Sequence, residues 1–178
     1  GGTAGTVNED GDWVTPFIIN PRNPQSIFVG KSRIFKTTDR GASWTTHPLI
    51  GLSNSKIDAI AVAPSDTNVI YASKSGQIWR SDNDGGSYTE ITSGLPGLFI
   101  TYIVVDEANS NKVYVSLSGT SAGNKVYMST NGGASWINIS ACLPNISANT
   151  IVLDTSSSVD AMYVGLDAGV YYRDNNNT

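Results

Sequence analysis

Few side chains in this chain of 178 residues could do chemistry. His47 is its only histidine and Cys142 its only cysteine. A Ser-His relay or a His/Cys metal cage therefore finds little to work with in the chain itself. Cleavage of a glycosidic bond needs two carboxyl groups about 5–9.5 Å apart across a cleft. Once the repeats described below are laid out, the acids near an axis or a loop tip on the free rim are Asp12, Asp58 and Asp167, and nothing in their spacing singles out a pair. Asn8, Asp10 and Asp12 alternate like the first ligands of a calcium loop, but Trp13 stands where a glycine is expected and no later Glu completes the set. Cys142 takes the place of Gly94 in a matching loop, Ala-Cys-Leu-Pro against Ser-Gly-Leu-Pro, and reads as a small buried residue rather than a nucleophile.

These residues are carried on a repeat whose signature is Thr37 to Trp44, Thr-Thr-Asp-Arg-Gly-Ala-Ser-Trp. It returns as Ser81 to Tyr88 and as Ser129 to Trp136, and a worn copy begins at Arg173, where Asn175 stands in the place of Asp39. A short polar side chain (Asp39, Asn83, Asn131) can accept hydrogen bonds from its own turn. A glycine two residues on (Gly41, Gly85, Gly133) supplies a positive φ, and an aromatic (Trp44, Tyr88, Trp136) anchors the outgoing strand. Two of the three complete copies carry Asn, so hydrogen bonding rather than negative charge is what the position requires.

Between these turns the apolar pattern recurs every 43–49 residues, the range of propeller blades. Continuous runs at Phe17-Ile18-Ile19, Ile60-Ala61-Val62, Ile103-Val104-Val105 and Ile151-Val152-Leu153 read as first strands buried on both faces. Second strands carry an aromatic in register at Phe28, Tyr71, Tyr114 and Tyr163, and third strands run straight into the signature. The pattern predicts an all-β protein: one β-propeller domain or fragment over residues 1–178, with four-stranded antiparallel blades at about 13–50, 56–97, 98–145 and 148–178. Three full repeats and a cut fourth predict an incomplete propeller, completed by further blades or domains of the same protein or by self-association through open sheet edges. Residues 1–7 could add a strand, but their glycines would pair poorly.

Charged residues make up only 15% of the chain and the net charge is −4, with no run of Lys or Arg to grip nucleic acid. The acidic, Asn- and Thr-rich composition suits a secreted or cell-surface protein. No stretch is long and apolar enough for membrane insertion, and an exported protein would have lost its leader before Gly1. Asn138-Ile-Ser, Asn145-Ile-Ser and Asn176-Asn-Thr fit the N-glycosylation pattern.

The signature Ser/Thr-x-Asp-x-Gly-x-Ser/Thr-Trp resembles the Asp box, and residues 13–178 resemble the bacterial Asp-box (BNR) repeat proteins. That group includes sialidases, sortilin-type receptors and xyloglucanase-type glycoside hydrolases, and its functions diverge. A sialidase needs three converging arginines and an Arg-Ile-Pro signature. Here Arg33-Ile34 is followed by Phe35, and four of the five arginines lie in, beside or opposite the repeated turns. The resemblance implies a non-catalytic propeller module of an exported multidomain protein, serving glycan or protein recognition or acting as a spacer. The alternative is part of a glycoside hydrolase whose carboxylates lie partly outside this chain. A meander puts all the signatures on one rim, so a ligand is expected on the other. That rim comprises Lys31 to Arg33, His47 to Asp58 and the later 2–3 and 4–1 connections, with Asp12, Trp13, Lys56, Asp58, Phe99 and Asp167 as the candidate ligand residues. No cofactor is implied beyond the weak calcium pattern.

Overall fold

Short aliphatic and aromatic runs bounded by Pro, Asn, Asp and Gly form strands rather than helices. The computed structural model of the chain describes residues 7, 9–51 and 54–174. Its first sheet is β1 (Phe17–Asn20), β2 (Asn23–Gly30), β3 (Ile34–Thr37) and β4 (Thr45–Thr46), and its second is β5 (Ala59–Val62), β6 (Ile70–Lys74), β7 (Gln77–Ser81) and β8 (Thr89–Glu90). The third holds β9 (Ile100–Val105), β10 (Val113–Leu117), β11 (Val126–Ser129) and β12 (Ile137–Asn138). The fourth, among the described residues, has the three strands β13 (Ala148–Leu153), β14 (Met162–Leu166) and β15 (Gly169–Arg173). Every sheet is an antiparallel meander in chain order, and the first strands pack consecutively, β1 on β5, β5 on β9 and β9 on β13. These are four blades of an incomplete β-propeller.

The core lies between blades, because one such sheet cannot cover its own faces. Ile18–Phe28, Ala61–Tyr71, Val104–Tyr114 and Val152–Tyr163 are the same cross-strand pair in successive blades. Phe28 packs with Ile57, Ile60 and Val62 of the second blade, Tyr71 with Ile103 and Val105 of the third, and Tyr114 with Ile151 and Val164 of the fourth. Burying a side chain of this size contributes about 1.5–3 kcal/mol. Each of these rings also lies beneath a cation. Lys36 Nζ is 5.3 Å from the Phe28 centroid, Arg80 Cζ 5.6 Å from that of Tyr71, and Lys112 Nζ 6.0 Å from that of Tyr114. All three cations reach the next blade, where they meet Asp84, Asn111 and Asp160 respectively.

Three expectations need correcting. The aromatic register holds through the fourth blade, but Tyr163 is 44% exposed where Phe28, Tyr71 and Tyr114 are at most 1% exposed, since no blade among the described residues follows it. Burial of first strands on both faces holds for β5 alone. Val152 of β13 is exposed for the same reason, and Phe17 and Ile19 of β1 are exposed on the opposite face, where no blade among the described residues precedes the first. His47, placed on the free rim by the sequence, is buried between the first two blades, where its ring meets Phe28 edge-on. The strand considered for residues 1–7 lies outside the described residues except at Val7. The worn signature from Asn175 onward also lies outside them.

Candidate functional site

The signature turns form one hydrogen-bonded device repeated three times. Asp39 Oδ1 accepts from the Ser43 amide (2.8 Å) and from Thr37 Oγ1 (2.7 Å), and Oδ2 accepts from Ser43 Oγ (2.6 Å). These bonds, the Ser43 hydroxyl foremost, bring the Asp39 carboxyl down to about 2. In the other copies an Asn oxygen accepts the same pair, Ser81 Oγ and the Ser87 amide at Asn83, and Ser129 Oγ and the Ser135 amide at Asn131. The Asn Nδ2 then donates to the Ser87 or Ser135 hydroxyl, so Asp and Asn close the turn equally well.

The glycines do more than supply φ of 92°, 79° and 91° at Gly41, Gly85 and Gly133. A Cβ on Gly133 would lie 2.3 Å from Ile91 Cδ1, and one on Gly85 2.1 Å from His47 Nδ1, both in the preceding blade, whereas one on Gly41 would meet only its own Trp44, at 3.6 Å. The aromatics follow suit. Trp136 Nε1 donates to the Ile91 carbonyl (2.8 Å) and the Tyr88 hydroxyl lies 3.0 Å from His47 Nδ1, so these rings join blades rather than only anchoring their own strands.

On the opposite rim, Lys31 and Ser32 of the β2–β3 turn hydrogen-bond Glu9, through its carbonyl and its carboxylate respectively, and fix the segment that leads to Trp13. Arg33 Nε adds a 3.8 Å contact to Glu9 Oε1. Glu9, Asp10, Ser32, Arg33, Asn54 and Lys56 line a hollow of about 370 Å³. Asp58 enters β5 nearby. Burial pushes its carboxyl up against the pull of the Ser75 and Gly76 amides, and Asp12 adds to the rise. Among the described residues, Asp58 Oδ2, Ser73 Oγ and Arg33 Nε are buried without a hydrogen-bond partner. Lys74 is buried beside them and donates to the Ser32 and Ile50 carbonyls. Trp13 is 99% exposed.

Of the candidate residues, Asp12 and Asp58 therefore feel each other and Lys56 lines the hollow, while Trp13 leaves the same N-terminal segment. Phe99 and Asp167 belong to the third and fourth blades and do not line it; Phe99 is exposed and Asp167 accepts from Asn149 Nδ2 at 2.8 Å. Asn8 lies outside the described residues, and among those described no three His, Cys, Asp or Glu side chains gather as a metal site. Cys142 corrects its expectation. It is exposed, with φ of 65° where Gly94 has 97°, so the match records a left-handed backbone position and not burial.

Sequence reasoning missed two features. Arg33 and Glu9 shape the hollow; the sequence places Arg33 on the free rim without singling it out as a ligand residue and gives no signal for Glu9. On the signature rim, two hollows of about 390 and 360 Å³ share Arg22, Glu107, Leu153 and Thr155 near the axis. Arg22 Nε is bound there to the Pro64 carbonyl at 2.7 Å. Its charge in a first-second strand turn was the available signal.

The comparisons agree on the fold. No family model matches the chain, and no curated protein matches it. Among solved structures it is similar to the Niastella koreensis GH74 enzyme, with TM-score 0.73 and 20% identity over 92% of this chain and 29% of that one. It is similar to YCF48 from Cyanidioschyzon merolae, with TM-score 0.67 and 17% identity over 97% of this chain and 54% of that one. It is also similar to the extracellular domain of the putative one component system BT4673 from B. thetaiotaomicron, with TM-score 0.67 and 16% identity over 97% of this chain and 22% of that one. The chain thus spans between about a fifth and a little over half the length of these structures.

Proposed function

We propose that the chain is a non-catalytic propeller module of an exported or cell-surface protein, of Asp-box type, and that it offers the rim opposite the signature turns to a glycan or protein ligand. One observation carries this reading. A fully exposed tryptophan leaves the segment whose Glu9 and Asp10 line a hollow with Arg33 and Lys56, so an aromatic platform is joined to a few placed polar groups. The signature residues, an extracellular neighbour and a glycoside hydrolase neighbour support the Asp-box and export parts of the reading. A glycan array followed by titration of Trp13→Ala tests it. Truncation of the indole is expected to weaken binding at least tenfold with the melting temperature unchanged. Binding that survives it intact would count against this rim.

A second reading, part of a glycoside hydrolase, is favoured by Asp58. Its carboxyl is raised by burial, has one unpartnered oxygen and feels a second carboxylate, as a general acid requires. One similar structure is a GH74 xyloglucanase from Xanthomonas campestris, so xyloglucan oligosaccharides are the substrate to try. Release of reducing ends that disappears in Asp58→Asn would favour this reading. Oligosaccharides left intact after prolonged incubation favour the first.

A further inference from the structure

The first-second strand turns on the signature rim differ in length between blades. The Ala63 amide closes its turn on the Val69 carbonyl and the Asp106 amide on the Lys112 carbonyl, but the Asp154 amide closes on Ala161, so the fourth turn is one residue longer. That residue changes the joint between blades. At the second interface the Tyr71 hydroxyl donates to the Ser110 carbonyl of the next turn (2.8 Å), and Arg80 crosses to Asn111 Oδ1 (2.7 Å). At the third, Asp160 stands in the place of Asn111 and pairs with Lys112. Tyr114, 1% exposed, reaches no carbonyl, and Lys112 beside it can only donate, so the Tyr114 O–H has no acceptor among the described residues. A hollow of about 390 Å³ opens here, within the size range of small-ligand sites, and Tyr114 lines it with Leu153 and Ala161. Its walls belong to the contact between two consecutive blades, not to either end of the arc.

The polar groups around this hollow form two sets. Asp106, Glu107, Asp154 and Asp160 line it, against Arg22 in the same lining and Lys112, which Asp106 and Asp160 share, so two negative charges are in excess. Hydrogen bonds from Ser156, its hydroxyl foremost, hold the Asp154 carboxyl below the usual range. Facing the acids are donors without an acceptor among the described residues: the Tyr114 O–H, and the outer nitrogens of Arg22, whose Nε alone is bound, to the Pro64 carbonyl (2.7 Å). The excess carboxylates call for a cation and the donors for an anionic acceptor. A zwitterion with a surplus positive charge supplies both.

We propose that this hollow binds a basic α-amino acid of the lysine type. Its carboxylate meets Arg22 and the Tyr114 O–H, its ammonium groups meet Glu107 and Asp154, and its methylene chain lies against Leu153 and Ala161. The site is on the rim opposite the proposed glycan hollow and stands apart from that reading. Amide shift titrations of the chain with L-lysine, with cadaverine, which lacks the carboxylate, and with ε-aminocaproate, which lacks the α-ammonium, test it. L-lysine is expected to bind saturably at millimolar concentration with shifts at Glu107, Thr155 and Asp160, and each analogue at least tenfold more weakly. Tyr114→Phe and Glu107→Gln should each weaken L-lysine about tenfold, whereas cadaverine, which makes no bond to Tyr114, should lose affinity only with Glu107→Gln. Unchanged urea midpoints are the control for folding. Arg22→Gln, at an exposed side chain, repeats the carboxylate half of the test where Tyr114→Phe costs stability. Absence of saturable shifts with L-lysine, or cadaverine that binds as tightly, would overturn the proposal. So would Tyr114→Phe and Arg22→Gln chains that bind L-lysine as the wild type does.

Discussion

At the scale of single residues, the three signature turns differ in what stands behind them. Gly41→Ala is expected to cost about 1–2 kcal/mol for a left-handed alanine. Gly133→Ala should cost about 1–3 kcal/mol more, because its Cβ also meets Ile91. Urea melts of the pair decide, and equal losses would show that the close approach is immaterial. Asp39 makes a separate prediction. Its carboxyl titrates near 2 in the fold against 3.8 ordinarily, so its contribution is present above about pH 4 and is lost as pH falls towards 2. Asp39→Asn should flatten that part of the acid unfolding curve and leave stability at pH 7 little changed, since Asn83 and Asn131 already close the same turn. An unchanged acid limb would contradict this. The exchange of Asp for Asn was legible in the sequence because three copies could be laid side by side. The inter-blade role of the glycines was not, because the Ile91 and His47 contacts come from another repeat. Cys142 shows a different limit: its match to Gly94 holds for both the left-handed backbone and the exposed setting, and a small side chain in such a loop does not imply burial.

At the scale of elements, blades are joined by a cation over an aromatic, and the periodic apolar runs gave away the rings but not their partners. Arg80→Met keeps the stem over Tyr71 and removes the bonds to Asn111 Oδ1 (2.7 Å) and to the Tyr71 hydroxyl (3.3 Å). A loss of about 1–2 kcal/mol is expected in urea melts, and none at all would mean that the ring alone holds the interface. His47 gives the first interface a pH dependence. Burial holds the imidazole below its ordinary 6.5, so the unfolded chain takes up the proton first and stability falls as pH drops below 6.5. His47→Gln should flatten stability between pH 6.5 and 5, as read from the urea midpoint at each pH. A slope that persists would assign the dependence to another group. No pattern in the sequence separated this histidine from the rim loop that follows it, because only the fold of the second blade covers it.

At the scale of the whole molecule, the four blades set two rims of different character around one axis. Repeat period and turn chemistry made the propeller readable from sequence, since each unit needs neighbours to bury its sheet. The candidate site was readable only in part. Asp12, Trp13, Lys56 and Asp58 share the free rim of the first two blades, whereas Phe99 and Asp167 belong to the third and fourth and do not line the hollow. Glu9 and Arg33, which complete the hollow, carried no spacing signal because they come from an unrepeated segment and a turn. The signature rim also has its axial hollows at Arg22 and Glu107, so the choice between rims is the claim most in need of direct measurement. Amide shift mapping with the tightest ligand from a glycan array makes that choice. Shifts are expected at Trp13, Ser32, Arg33, Lys56 and Asp58. Shifts clustered instead on Arg22, Glu107 and Thr155, or on Thr37 to Trp44, would contradict the account.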